Sequence, residues 1–419
     1  MRALRIGSLA GIGRVLATRD TWVFYGCSLG SWTGQWVQKI ATDWLAWQLT
    51  HSPAWVGIVA FCNLAPSVIA SPLAGAAADR MDRVRLTVLT QLVTAAHAAA
   101  LATLVLTGTI RVELMASLEV VLGTAQAFSA PARQSLLPGL VSRADLPAAV
   151  ALNSLCFNLA RSVGPAIGGV LVVLVGVLPC LLVNMVAFFT ASATMRTLRV
   201  DPRHRRGHAP TASITREAME GVAYAVRHPA MGPLFLFACV IAMLVQAVPQ
   251  TLPPFVDRLY HRGPEGLATL STAIGMAALV GGLMVVAHGR LTGLCRLAIG
   301  AGTALTLATV GFVATGSFAF AILCAGAMGM AGTMHTISAQ SLLQSSTAGV
   351  MLGRVLSLWQ LITRAGPAVG ALLYGVLAEW VGLRVPVLAG ACVALAACVW
   401  AFRMAPAMAR GLERSAPPA

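Results

Sequence analysis

Charge is what this sequence lacks most. Only 10% of its 419 residues are Asp, Glu, Lys or Arg, while 58% are apolar. A soluble domain carries about 25% charged residues, so a chain that turns its whole surface to water is excluded. Acids are scarcer than bases, 14 against 29, which leaves a formal net charge of +15. Strict alternation is missing too: a run such as VLVVLVGVLPCLLV has no period of two, which excludes a membrane β-barrel. The nine cysteines form no CxxC pair and all lie in or beside apolar runs, as small buried hydrophobes do. Neither GxxxxGK[ST] nor HExxH occurs. Direct ATP drive and zinc-peptidase chemistry therefore lack their signatures, no cofactor or metal is expected, and the chain does not read as an enzyme.

What is present is a series of long apolar segments. Runs of eighteen or more residues recur from Thr21 to Phe402, each long enough to cross a hydrocarbon core of roughly 30 Å as a helix. The expected spans are 21–47, 53–77, 86–107, 112–132, 147–173, 178–196, 232–254, 266–287, 296–314, 318–341, 353–378 and 384–403. The basic residues fall in alternate loops rather than in one patch, so nucleic acid is not an expected partner. One side collects both termini, Arg80, Arg83, Arg85, Arg133, Arg143 and the segment from Arg196 to Arg227, while the other holds only Arg111, Arg258, Arg262 and Arg384. The positive-inside rule then places both termini in the cytoplasm, with the chain multi-pass in the inner or plasma membrane. The basic start, with no clear apolar core and cleavage site, reads as a retained arm rather than a signal peptide.

The two halves repeat one another. RQSLLPGL at Arg133–Leu140 is echoed by AQSLLQSS at Ala339–Ser346, and SVGPAIGG by RAGPAVGA at Arg364–Ala371. Aligning the GPA segments sets Asn158 opposite Gln360, while Arg161 and Arg364 miss each other by one residue. Parallel repeats joined by a polar segment imply two bundles that rock about a central site. The expected division is an arm at 1–20, a first bundle at 21–196, a cytoplasmic loop at 197–231, a second bundle at 232–403 and a cytoplasmic tail at 404–419. The fold class is therefore all-α integral membrane, about twelve transmembrane helices in two six-helix bundles with pseudo-two-fold symmetry.

Between the second and third spans lies GAAADRMDRVRL, from Gly75 to Leu86. It resembles the loop motif of the major facilitator superfamily. With SAPARQSLLPGLVSRADLPAAVALNSLCFNLARSVGPAIGG, the chain is similar to the branch that contains the enterobactin exporter and related efflux permeases. The resemblance implies export by alternating access, and a loop in which Gly75, Asp79, Arg80 and Arg83 latch the cytoplasmic ends. Asp82 stands where the motif has its second glycine. GPAIGG matches the second half of a pattern found in drug/proton antiporters, with Ala160 in place of a glycine of the longer pattern. Gly164, Pro165, Gly168 and Gly169, with Gly366 and Pro367 in the second half, are expected to serve close packing or pivoting.

Ionisable residues inside spans are costly unless paired or hydrated. They are Lys39, Asp43, Glu119, Arg161 and Arg364. Ser28, Ser31, Gln35, Gln38, Lys39 and Thr42 share one face of the first helix, and Ser154, Asn158 and Arg161 one face of the fifth. The expected cavity lining is Gln35, Lys39, Ser154, Asn158, Arg161, Gln360 and Arg364. Lys39 and Asp43 are spaced to neutralise one another. Glu119 is the expected proton-titrating group, with Asp43 the second candidate, or else it is bridged permanently to Arg161. His97 and His335 read as hydrogen-bonded packing residues. The expected function is proton-coupled efflux of a small amphipathic molecule of siderophore or drug type. Metabolite uptake by symport, or a transport-inactive sensor, are the alternatives. Expected partners are the small-molecule substrate, protons and the lipid bilayer.

Overall fold

The computed structural model describes residues 13–142, 144–198, 223–224, 227–347 and 349–413; the side chains of residues 71, 72, 75, 76, 78–80, 349 and 350 are outside the description. Among the described residues, the first half holds the long helices α1 (Arg19–Thr50), α2 (Pro53–Arg80), α3 (Arg83–Leu106), α4 (Val112–Gln134), α5 (Leu146–Val175) and α6 (Val177–Met195). The second half holds α7 (Met231–Leu244), the short α8 (Leu252–Arg258), α9 (Pro264–His288), α10 (Leu294–Ala314), α11 (Phe318–Ser346), α12 (Gly349–Val381) and α13 (Arg384–Leu412). No strand occurs among the described residues.

Among the described residues, ten segments are long and apolar enough to cross a membrane. Of the other described helices, α8 has only 7 residues, while α1 and α4 are long, at 32 and 23 residues, but carry Lys39, Asp43 and Glu119. Their polarity is concentrated on faces that other helices cover, which is how a membrane helix keeps polar side chains.

Local signals set the ends. Asp82, the departure from the loop motif, is the N-cap of α3, its carboxylate accepting from Val84 N at 2.9 Å and Arg85 N at 3.1 Å. The expected single span 232–254 is broken: α7 stops at Leu244, a 3-10 turn covers Val248–Gln250, and α8 follows. Pro249, Pro253 and Pro254 remove the N–H groups a continuous helix would need. Nor does the last helix end at 403. It continues to Leu412, and Glu413 accepts from Gly293 N at 2.9 Å and Cys295 N at 3.0 Å, capping α10. Glu413→Ala should cost about 1 kcal/mol, the usual worth of a cap, read as a lowered thermal midpoint of the purified protein that Glu413→Asp partly restores.

Contacts divide the chain into two compact units, Met1–Leu45 with Pro66–Thr211, and Ala46–Ala65 with Ala212–Ala419. In the first, α3 packs on α4 and α6; in the second, α10 packs on α11 and α13 in the same order. Residues 46–65 group with the second unit because polar groups hold them there. Trp47 Nε1 donates to Asp257 Oδ2 at 2.9 Å, Arg258 Nη2 to the His51 carbonyl at 2.6 Å, and Ser52 Oγ to Glu379.

The GPA segments have matching surroundings. A Cβ at Gly164 would stand 2.5 Å from Trp36 Cβ and one at Gly168 2.8 Å from the Val37 carbonyl, so α5 lies directly on α1. At Gly366 it would stand 2.6 Å from Ala242 Cβ, and at Gly370 it would meet the Met243 carbonyl, so α12 lies on α7 in the same way. Glycine is required here by the close approach of two backbones.

Candidate functional site

A chain of buried polar groups crosses the first unit. Asn184 Nδ2, on α6, donates to Gln38 Oε1 at 2.6 Å. That fixes the other end of the Gln38 amide as the donor, and Gln38 Nε2 lies 3.3 Å from His97 Nδ1. With Nδ1 accepting, the neutral imidazole carries its proton on Nε2, which faces Glu119 Oε1 at 3.5 Å, an ion-pair distance slightly longer than a hydrogen bond. His97 is 3% exposed and Glu119 4%, so water does not stand in for either partner. Four helices contribute: α6, α1, α3 and α4. Asn184 reaches Gln38 because Gly34 lets α6 close on α1, a Cβ there standing 3.0 Å from Asn184 Oδ1.

Beside this chain, Lys39 Nζ contacts Asp43 Oδ2 at 2.8 Å. Lys39 is the only lysine in the protein. Glu119 is near enough to act electrostatically on Asp43. The cluster thus holds one ammonium, two carboxyl groups and one imidazole.

The spacing of Lys39 and Asp43 produces the expected pair. The Glu119–Arg161 bridge does not form. Glu119 lies on the side of α4 that packs against α3, where His97 meets it. Arg161 sits one turn before Gly164, beside α1, with its guanidinium 5.8 Å from the centre of the Trp36 ring. His97, expected to be a packing residue, is therefore part of the site. His335 keeps that packing role, its Nδ1–H donating to the Ala298 carbonyl at 2.9 Å beneath Phe237.

Gln35 and Lys39 are half-buried on α1. Ser154 is exposed and Asn158 half-buried, each bonding back to its own helix, through Ser154 Oγ to the Val150 carbonyl at 3.1 Å and Asn158 Nδ2 to the Ser154 carbonyl at 2.8 Å. Gln360 and Arg364 are exposed on α12 of the second unit. Of the loop motif, Arg83 Nη1 donates to the Ser135 carbonyl at 3.2 Å. The side chains of Gly75, Asp79 and Arg80 lie outside the described residues, as does most of the central loop. Gln38, Asn184 and His97 had one usable signal in sequence: each is a polar residue inside an apolar run on a different helix. Nearer the chain start, Arg14 Nε donates to Asp145 Oδ1 at 3.0 Å. Hydrogen bonds from Ser142 and then Arg14 hold the Asp145 carboxyl below the usual range. A GxSxG string, Gly26–Gly30, falls inside α1 with Ser28 buried. A nucleophilic serine of that motif needs a strand-to-helix turn, which is absent there. Among the described residues no group of His, Cys, Asp and Glu could hold a metal ion.

The profile of the family described as "Transmembrane secretion effector" matches residues 16–415. The multidrug efflux pump Tap of Mycolicibacterium fortuitum is 27% identical over 381 residues, which cover 86% of this chain and 90% of that protein. The enterobactin exporter EntS of Citrobacter koseri is 27% identical over 241 residues, 57% of this chain and 56% of the exporter. Among solved structures, a bacterial homolog of the human lysosomal transporter Spinster, inward-facing and unoccupied, superposes with a TM-score of 0.70 at 14% identity, over 97% of this chain and 99% of that one. At that identity the likeness speaks to the fold alone.

Proposed function

This chain belongs to the transmembrane secretion effector family of major facilitator transporters, and we propose that it exports a small amphipathic molecule in exchange for protons. It is an integral membrane protein. In this proposal α1 and α4 cross the membrane with the ten apolar segments, completing twelve crossings in two six-helix bundles at 21–196 and 232–403. Both termini are cytoplasmic, in the inner or plasma membrane. The efflux activity named for Tap and EntS supports the outward direction.

One observation carries the coupling: Glu119 is a carboxyl group buried inside the helices, against His97 and within electrostatic reach of Asp43. Glu119 binds the proton when the surrounding helices seal and gives it up when water reaches them. Gln35, Lys39, Ser154, Asn158, Arg161, Gln360 and Arg364 line the cargo path. Gly75, Asp79, Arg80 and Arg83 act as the cytoplasmic latch, and Gly164, Pro165, Gly168, Gly169, Gly366 and Pro367 as the packing and pivot segments. The reading is tested by loading energised cells that express the protein with a panel of fluorescent amphipathic dyes and metabolites from the medium. Cargo should accumulate inside once a protonophore collapses the gradient. Export that continues unchanged under the protonophore, with ATP depleted, overturns it.

A further inference from the structure

Among the described residues of the first unit, two guanidinium groups lie over tryptophan rings without an ion pair. Arg133, at the end of α4, lies with its Cζ 4.0 Å from the centre of the Trp32 ring; Arg161, on α5, lies over Trp36. Trp32 and Trp36 are one turn apart on α1, so the two stacks sit on neighbouring positions of one helix. Phe157 meets Trp32 edge-on, with ring centres 5.4 Å apart. Among the described residues neither arginine makes an ion pair or a hydrogen bond. Elsewhere in the unit Lys39 has Asp43 and Arg14 has Asp145.

A ring face attracts a guanidinium but uses none of its five N–H donors. Those donors are also not sealed in: both side chains are only half-buried, and none of their nitrogens is among the enclosed polar atoms without a partner. The site therefore offers two planar cation forks over neighbouring indole rings, with a third aromatic ring beside them. Two uncompensated positive charges repel a cation. Their forks fit the two oxygens of a carboxylate or a similar planar oxyanion, and the half-buried Trp36 and the exposed Phe157 offer rings to a flat apolar body, while Trp32, 4% exposed, is the covered backing of Arg133.

We propose that Trp32, Trp36, Arg133, Arg161 and Phe157 form a binding shelf for a planar aromatic organic anion, such as an aromatic carboxylate. As the cargo's binding place this rests on the transporter reading; as a binding site it does not. The test uses the purified full-length protein in detergent and measures binding by equilibrium dialysis of three labelled probes. These are salicylate, the aromatic cation benzylamine and the non-aromatic anion cyclohexanecarboxylate. Salicylate should bind at least about tenfold more tightly than either of the others, and Arg133→Gln and Arg161→Gln should each weaken it at least about tenfold, the scale of a charge-assisted fork. Arg161→Lys, which keeps the charge and loses the fork, should fall between. Benzylamine binding as tightly as salicylate to the unaltered protein overturns the proposal, whether or not the variants fold. So does unchanged salicylate affinity in both glutamine variants when they elute as a single species. Salicylate binding that survives Glu119→Gln separates this site from proton coupling, and proton-driven export by a protein that does not bind salicylate removes the shelf alone.

Discussion

Glu119→Gln abolishes uphill export while leaving exchange of cargo down its own gradient. Glutamine keeps the size and a hydrogen-bonding carbonyl beside His97 but holds no charge to titrate. In one-for-one exchange, each pH unit across the membrane is worth about 1.4 kcal/mol and supports roughly a tenfold cargo gradient. In proteoliposomes with an imposed gradient of about one unit, the unaltered protein should therefore approach a tenfold ratio and Glu119→Gln a ratio near one. Counterflow of labelled cargo should persist in the variant. A variant that still builds the tenfold ratio removes Glu119 from the coupling role, and loss of counterflow as well assigns it to structure. His97→Gln, which keeps an N–H donor toward Glu119, should retain some gradient but shift its dependence on pH.

The second large effect is on folding. Gly370→Ala drives a Cβ into the Met243 carbonyl and to 2.6 Å from Ala247 Cβ, where α12 lies on α7. The carbonyl belongs to the α7 backbone and the Ala247 Cβ to the buried turn that follows it, so neither can swing away, and the cost should exceed the roughly 1–3 kcal/mol typical of core overpacking. Gly168→Ala, its repeat counterpart, faces the Val37 carbonyl at 2.8 Å and should lose a similar but smaller amount. Gly353→Ala, on the same helix as Gly370 with nothing within 4 Å, is the control. It should leave stability unchanged or raise it by up to about 1 kcal/mol through helix propensity. Thermal unfolding by size-exclusion recovery would rank the three. Equal recovery of Gly370→Ala and Gly353→Ala would show that the α7–α12 approach is not tight in solution.

The sequence made the helices legible because their signals are local. Runs of apolar residues and the polar central segment located the expected spans within a few residues of the observed helix ends. The exceptions are also local in origin. Three prolines break the α7–α8 segment, and the helix beyond 403 is extended by Ala, Met and Leu that a hydropathy reading assigns to a tail. The Lys39–Asp43 pair was legible for the same reason, since four residues make one helical turn.

By itself, the sequence determined that this is a helical membrane protein with a duplicated plan, because burial in lipid demands long apolar helices and because close helix approach demands glycine at repeated positions. It also named the costly charges. Which charge meets which was decided by the tertiary structure alone. Glu119 could turn to Arg161 or elsewhere with equal propriety on its own helix, and only the packing of α3 against α4 brings His97 to it, while the approach of α5 to α1 turns Arg161 onto Trp36. Contacts between helices depend on rotation and separation at the interface, and neither quantity is encoded within a single turn.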